Sequence, residues 1–253
     1  MFWGRPIIPN SQRRKSVGKK AKLSGRAKTP TLPPPTLPWR TDATASRLWR
    51  GAVAHLSRSD LAMARLIEKV GPCTLAPSGA EKPLESLIET IVYQQLSAKA
   101  AGTIFNRLVG LYPGKSFDPR TLLETPVELF RWAGLSRPKT ASVLDLARQV
   151  SEGRLPIDSL ENLDNEEVAR VLTTVKGIGP WSVQMFLIFR LGRPDVWPTT
   201  DLGIRKGAMR TWGLAELPAP ETVRSLGEPL RPHRTVASWY LWASLELPKD
   251  PSR

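Results

Sequence analysis

Cysteine is nearly absent from this chain: Cys73 is the only one among 253 residues. That excludes a disulfide framework and any cysteine-ligated zinc or iron–sulfur site built within the chain. Histidine is almost as scarce, with His55 and His233 alone, too few to make a metal site with one thiol. No run approaches eighteen apolar residues, so no membrane span is expected. The start, MFWGRPIIPNSQRRKS, lacks the apolar segment of a secretory signal, and an intracellular protein is expected. Strict apolar–polar alternation is scarce as well, which argues against a β fold.

Acid is missing from the first forty residues, which carry ten Lys/Arg and no Asp or Glu. The whole chain has 37 bases and 23 acids, a formal charge of +14, so the remainder holds 27 bases against the same 23 acids. The expected organisation is a basic, Pro-rich, disordered tail over 1–40 and a folded body over 41–253. Residues 29–39, TPTLPPPTLPW, read as a semi-stiff polyproline spacer. Such a tail can raise affinity for phosphate backbones by counterion release, or serve as a solvated leader.

What the body does contain is helical periodicity with start and stop signals. SRSDLAMARLIEKVG predicts a helix capped by Ser59 or Asp60 and ended by Gly71-Pro72. PLESLIETIVYQQLSAKAAGTIFNRLVGLYP places Leu84, Leu87, Ile88, Ile91 and Val92 on one face, with a break at Gln94-Gln95. TPVELFRWAGL is expected to be capped by Thr125, and a further helix to begin near Pro138. In LDNEEVARVLTTV, Asp164 and Glu167 form a capping-box pattern. SVQMFLIFRLG is apolar nearly all round and reads as a central buried helix, and RTVASWYLWASLE is the last. The fold class expected is all-α.

Two features carry chemistry. VKGIGPW joins two helices by a glycine turn whose N–H groups could accept a phosphate, although glycine is also the ordinary helix terminator. Twenty-two residues after Gly179 stands Asp201, in TTDLGIRKG. A turn residue, a helix cap and a catalytic carboxylate all fit that setting.

Helix, LxxVKGIGPW, apolar helix and PTTDLGIRKG together resemble the helix-hairpin-helix (HhH-GPD) DNA glycosylase superfamily, in its 3-methyladenine glycosylase II (AlkA-like) branch. HLSRSDLAMARLIEKVGPCTL, ETIVYQQLSAKAA, GLSRPKTASVLDLARQVSEGRL and LRPHRTVASWYLWA resemble family segments in the family's order, covering roughly residues 45–245. The resemblance implies two helical subdomains flanking a DNA-binding cleft, with the helix-hairpin-helix over about 164–190. The N-terminal β domain of longer AlkA forms is expected to be missing.

The same resemblance makes Asp201 the catalytic residue and puts Trp181, Met185 and Trp242 at the base pocket, with Tyr240 a weaker aromatic candidate. Gln95 or Leu96 would be the wedge that fills the gap left by an extruded base. Gly177, Gly179 and Lys176 would hold DNA phosphates, with Arg205 and Lys206 as further charges. Carbonyls of Thr173, Val175 and Ile178 would ligate a monovalent ion, and no cofactor is required. Relatives that also cut the strand carry a lysine where this chain has Trp181, so a monofunctional enzyme is implied. The expected substrate is duplex DNA with alkylated bases, bound by a monomer associated with a nucleoid or nucleus. Deaminated or etheno bases, and a non-catalytic DNA-binding module, are the alternatives.

Overall fold

A carboxylate opens the first legible helix: Asp60 accepts the Met63 N–H at 2.8 Å, while Ser59 turns back to the His55 carbonyl. The computed structural model describes residues 40–41, 43–77, 82–112, 114 and 116–248, and the tail expected over 1–40 lies almost wholly outside these. Among the described residues the elements are twelve α-helices, three short 3-10 helices and one two-stranded ladder. The α-helices are α1 (Arg50–Ser59), α2 (Leu61–Val70), α3 (Pro83–Tyr93), α4 (Ala98–Val109), α5 (Pro119–Glu124) and α6 (Val127–Ala133). Then follow α7 (Arg137–Ser151), α8 (Asn165–Leu172), α9 (Pro180–Phe189), α10 (Leu202–Trp212), α11 (Pro220–Gly227) and α12 (Arg234–Ser244). The strands β1 (Arg40–Thr41) and β2 (Leu75–Ala76) pair antiparallel, Arg40 opposite Ala76.

The helices fall into two groups. In one, α3 packs on α4, α7 and α9, α7 on α5 and α6, and α8 on α9. In the other, α12 packs on α10, α2 and α1, and α10 touches α11. The expected face of α3 is the buried one: Leu84, Leu87, Ile88, Ile91 and Val92 all lie in the core. On α2 the buried pair is Met63 and Leu66, and Leu61 is exposed. The capping box of α8 is formed in both directions, Glu167 N to Asp164 Oδ1 at 2.8 Å and Asp164 N to Glu167 Oε2 at 3.1 Å.

α9 is the central buried helix its composition predicts. Val183, Phe186 and Ile188 are each about 1% exposed or less, and each such side chain stabilises the fold by roughly 1.5–3 kcal/mol relative to exposure. α12 is buried over nearly its whole length, including Arg234. That guanidinium forms a two-pronged pair with Asp195, Nε to Oδ1 at 2.7 Å and Nη2 to Oδ2 at 2.9 Å. Burial alone would raise the Asp195 carboxyl, but Arg234 and Arg231 outweigh it and hold Asp195 below the usual carboxylate range.

Two sequence expectations fail here. Thr125 does not cap α6. Its hydroxyl donates to Thr121 O at 2.7 Å and accepts the Tyr112 hydroxyl at 3.1 Å, closing α5, while Pro126 stands at the α6 N-cap without a side-chain bond. Tyr240 is no pocket aromatic: it is fully buried, and its hydroxyl donates to the Gly71 carbonyl at 2.9 Å.

Candidate active site

Asp201 is both a cap and more than a cap. It is the N-cap of α10, with Oδ1 accepting the Ile204 N–H at 2.8 Å. The same oxygen accepts the Trp242 indole N–H at 2.9 Å, and Oδ2 accepts the Trp181 indole N–H at 2.7 Å. The residue is 7% exposed. A carboxylate is an acceptor-only group, and three N–H donors compensate much of what it loses on leaving water. One donor comes from α9, one from α10 and one from α12, so the carboxylate sits where the two helical groups meet.

Glycine keeps this arrangement closed. A Cβ at Gly203 would stand 2.7 Å from Trp242 Cδ1 and 3.0 Å from Asp201 Oδ1. At Gly207 it would meet the Leu241 carbonyl oxygen at 2.4 Å, which is how closely α10 lies on α12. Trp242, 5% exposed, also packs on Phe189 with ring centroids 5.7 Å apart. Met185 belongs to the core at 4% exposure, and Trp181 is half-buried. Of the three expected pocket residues, two therefore touch the carboxylate through their N–H groups, a relation the spacing did not reveal.

The hairpin between α8 and α9 turns at Gly177, whose φ is +80°. A Cβ there would lie 2.3 Å from Ser142 Oγ, so both the turn and the crowding require glycine. Gly179 has neither a positive φ nor a neighbour within 4 Å, and the start of α9 stays open. The Gly177 and Gly179 N–H groups meet no acceptor among the described residues. Unpaired amides at a helix start are ready donors to a phosphate. The loop is held from behind by α7: Asp145 Oδ2 accepts the Lys176 N–H at 2.9 Å, and Gln149 bonds Thr174 twice. The Lys176 side chain is exposed. Arg205 donates to the Pro218 carbonyl at 2.8 Å, and Lys206 is half-buried.

The wedge candidates follow α3. Gln95 is exposed with φ +56°, the one positive φ outside glycine among the described residues, while Leu96 is partly packed on the core. Gln94 stands at the expected break, directly after α3. Its amide donates to Gly177 O and Ser182 Oγ, both at 2.9 Å, joining this turn to the hairpin. Of the carbonyls expected to hold an ion, Val175 O already accepts Ile178 N at 3.0 Å. Gln94 and Gln149 occupy the carbonyls of Gly177 and Thr174, not those of Thr173 and Ile178. Among the described residues, no group of three or more His, Cys, Asp or Glu could hold a metal.

A groove of about 410 Å³ runs along the other side of α9, between Asn165, Gln184, Thr199, Arg224 and Arg231. Asp201 does not line it, and Arg231 and Arg224 are ion-paired, with Asp195 and Glu221.

The chain is similar to known proteins over most of its length. The profile of the HhH-GPD superfamily base excision DNA repair proteins matches residues 88–232. The Alkylbase DNA glycosidase-like protein mag2 of Schizosaccharomyces pombe is 34% identical over 204 residues, 79% of this chain and 94% of that protein. DNA-3-methyladenine glycosylase 1 of the same yeast is 38% identical over 199 residues, 78% and 87% of the two chains. Among solved structures, the S. pombe 3-methyladenine DNA glycosylase in complex with abasic DNA superposes with a TM-score of 0.74 at 38% identity, over 78% of this chain and 97% of that one. A DNA-3-methyladenine glycosidase from Bacillus halodurans gives a TM-score of 0.68 at 34% identity, over 77% and 88%. The chain belongs to the HhH-GPD superfamily of base excision DNA repair proteins.

Proposed function

We propose that this protein is a monofunctional DNA glycosylase of base excision repair, hydrolysing the N-glycosidic bond of alkylated bases of the 3-methyladenine and 7-methylguanine type. The observation that carries the reading is the buried Asp201 carboxylate, held by N–H groups from three helices beside the open start of α9.

An alkylated purine is cationic and already a good leaving group, so the enzyme needs no strong general acid. As the C1′–N bond breaks, its electron pair leaves with the base, which becomes neutral, and positive charge develops on the sugar. Asp201 stabilises that charge and orients the water that adds at C1′, and the proton this water loses passes to the Asp201 carboxylate and on to solvent. Trp181 and Trp242 aim the carboxylate by their N–H groups, and the half-exposed Trp181 ring remains to stack on the electron-poor base. Gln95 fills the vacated place in the stack. Gly177, Gly179 and Lys176 hold the strand. Carbonyls of Thr173, Val175 and Ile178 would hold a monovalent ion, whose positive charge would favour phosphate binding. Trp181 stands where a lyase lysine would be and has no amine to form a Schiff base. The protein acts as a monomer on duplex DNA inside the cell.

The test is direct. Purified protein is incubated with a methylated duplex, and released bases are resolved by chromatography. Release of 3-methyladenine, with strand breaks appearing only after alkali, is expected. Release from a deaminated or etheno-base duplex alone would move the substrate class. Breaks without alkali would end the monofunctional reading.

A further inference from the structure

Lys139 stands in the first turn of α7, where the N–H ends of the helix repel a cation. It is half-buried there, and lost hydration pushes its ammonium below the ordinary lysine value. Both conditions are unfavourable to the ammonium group, although the Lys139 backbone N–H takes part in the α7 cap with Ser136. The benefit lies on α3, whose last turn carries no base of its own. The Lys139 Nζ donates to the carbonyls of Val92 and Gln94, each at 2.7 Å. It thus supplies from another helix the cation that the carbonyl end of α3 lacks. The next residue is Gln95, exposed and at φ +56°, a conformation a side-chain-bearing residue keeps only when its surroundings impose it.

We propose that Lys139 is a positioning residue for base extrusion: by clamping the two carbonyls that end α3, it fixes the left-handed turn at Gln95 against the strand-holding hairpin. The proposal rests on the glycosylase reading, in which Gln95 enters the stack. The reference frame is α7 itself. Its Lys139 holds the turn, while its Asp145 and Gln149 hold the hairpin at Lys176 and Thr174. Gln94 closes the loop between the two through Gly177 O and Ser182 Oγ. One rigid helix therefore sets the spacing between the grip on the backbone and the group that enters the duplex.

The experiment uses the full chain and a duplex with a tetrahydrofuran abasic analogue opposite 2-aminopurine, whose fluorescence changes when a side chain enters beside it. Lys139→Met and Gln95→Ala are compared with wild type, and Lys139→Arg tests rescue, since a guanidinium can also donate to two carbonyls. Affinity, melting temperature and single-turnover base release are measured in parallel. Lys139→Met should lose most of the fluorescence change, as Gln95→Ala does, while binding stays within about threefold because phosphate contacts supply most of it. Base release should fall on the order of a hundredfold, the usual cost of a small misplacement. Lys139→Arg should recover most of both.

A wild-type fluorescence change in Lys139→Met would overturn the proposal. So would a parallel loss of affinity and signal, failure of the methionine variant to melt cooperatively, or no signal from wild type. The fluorescence arm does not depend on catalysis. A wild type that inserts Gln95 but releases no alkylated base would sink the glycosylase reading and leave the role of Lys139 standing.

Discussion

Asp201 shows why a single residue's role is hard to read from its neighbours. In TTDLG it has the appearance of an N-cap, and it is one, yet its second oxygen is given to Trp181, twenty positions earlier. The cap was legible in the sequence. The two indole donors were not, because they come from α9 and α12 and meet only when those helices pack. Gly203 was equally silent, since a glycine in the first turn of a helix carries no mark of the Trp242 ring lying over it. Gly203→Ala should push Trp242 and the carboxylate apart. We expect a stability loss of about 1–3 kcal/mol, with base release falling further than the melting curve accounts for. Unchanged single-turnover rates in a folded variant would refute that coupling. Cys73 sits at the opposite extreme: burial pushes its thiol up to about 12. It should not react with a thiol reagent at pH 8 until the chain unfolds, and labelling followed by mass spectrometry checks this.

At the scale of elements, the sequence shows most clearly the helices that combine a cap with an apolar face. The capping box of α8, the apolar face of α3 and the uniformly apolar α9 are patterns any reading recovers. α1 buries only Ala52 and Leu56, too little periodicity to register. α11 begins at Pro220 in PAPETVRSLG, where proline at the first position followed by an acid is its start signal. The hairpin's support is an element-scale device, since α7 grips it through Asp145 and Gln149. The Lys176 N–H bond is the largest cause holding Asp145 below its ordinary value of 3.8, with Gln149 and Arg148 adding to it against slight burial. A depressed folded value means this stabilisation is complete above the unfolded value and is lost as pH falls through the folded one. Hairpin support from Asp145 should thus persist from neutrality to below the usual aspartate range. Asp145→Ala should weaken duplex binding at neutral pH by about fivefold, the worth of roughly 1 kcal/mol of hydrogen bonding. Affinity equal to wild type would show that the loop holds itself.

For the molecule as a whole, the all-α fold class and the family were legible in the sequence. The reason is that family segments recur in order along most of the body. Charge at this scale is uneven: residues 1–40 carry ten of the 37 bases. A chain beginning at Arg40 loses nine of them and should bind duplex DNA with a shallower dependence on salt, its logarithmic slope reduced by several units. Base release at saturating protein should be unaffected. A slope equal to that of the full chain would make the tail a bystander in DNA binding.

The central claim is that a carboxylate, presented by three helices, drives loss of the base. Asp201→Asn tests it most directly, because the asparagine oxygen can still cap α10 and receive the Trp242 N–H while the charge is removed. Single-turnover release of 3-methyladenine from a methylated duplex should fall by a factor of about 10²–10³, with duplex binding close to wild type. The melting transition should stay cooperative, with stability lowered by about 1–3 kcal/mol, because the amide NH2 then faces the Trp181 N–H. A folded Asp201→Asn protein that releases the base within about threefold of the wild-type rate, a difference of under 1 kcal/mol in the barrier, would contradict the account.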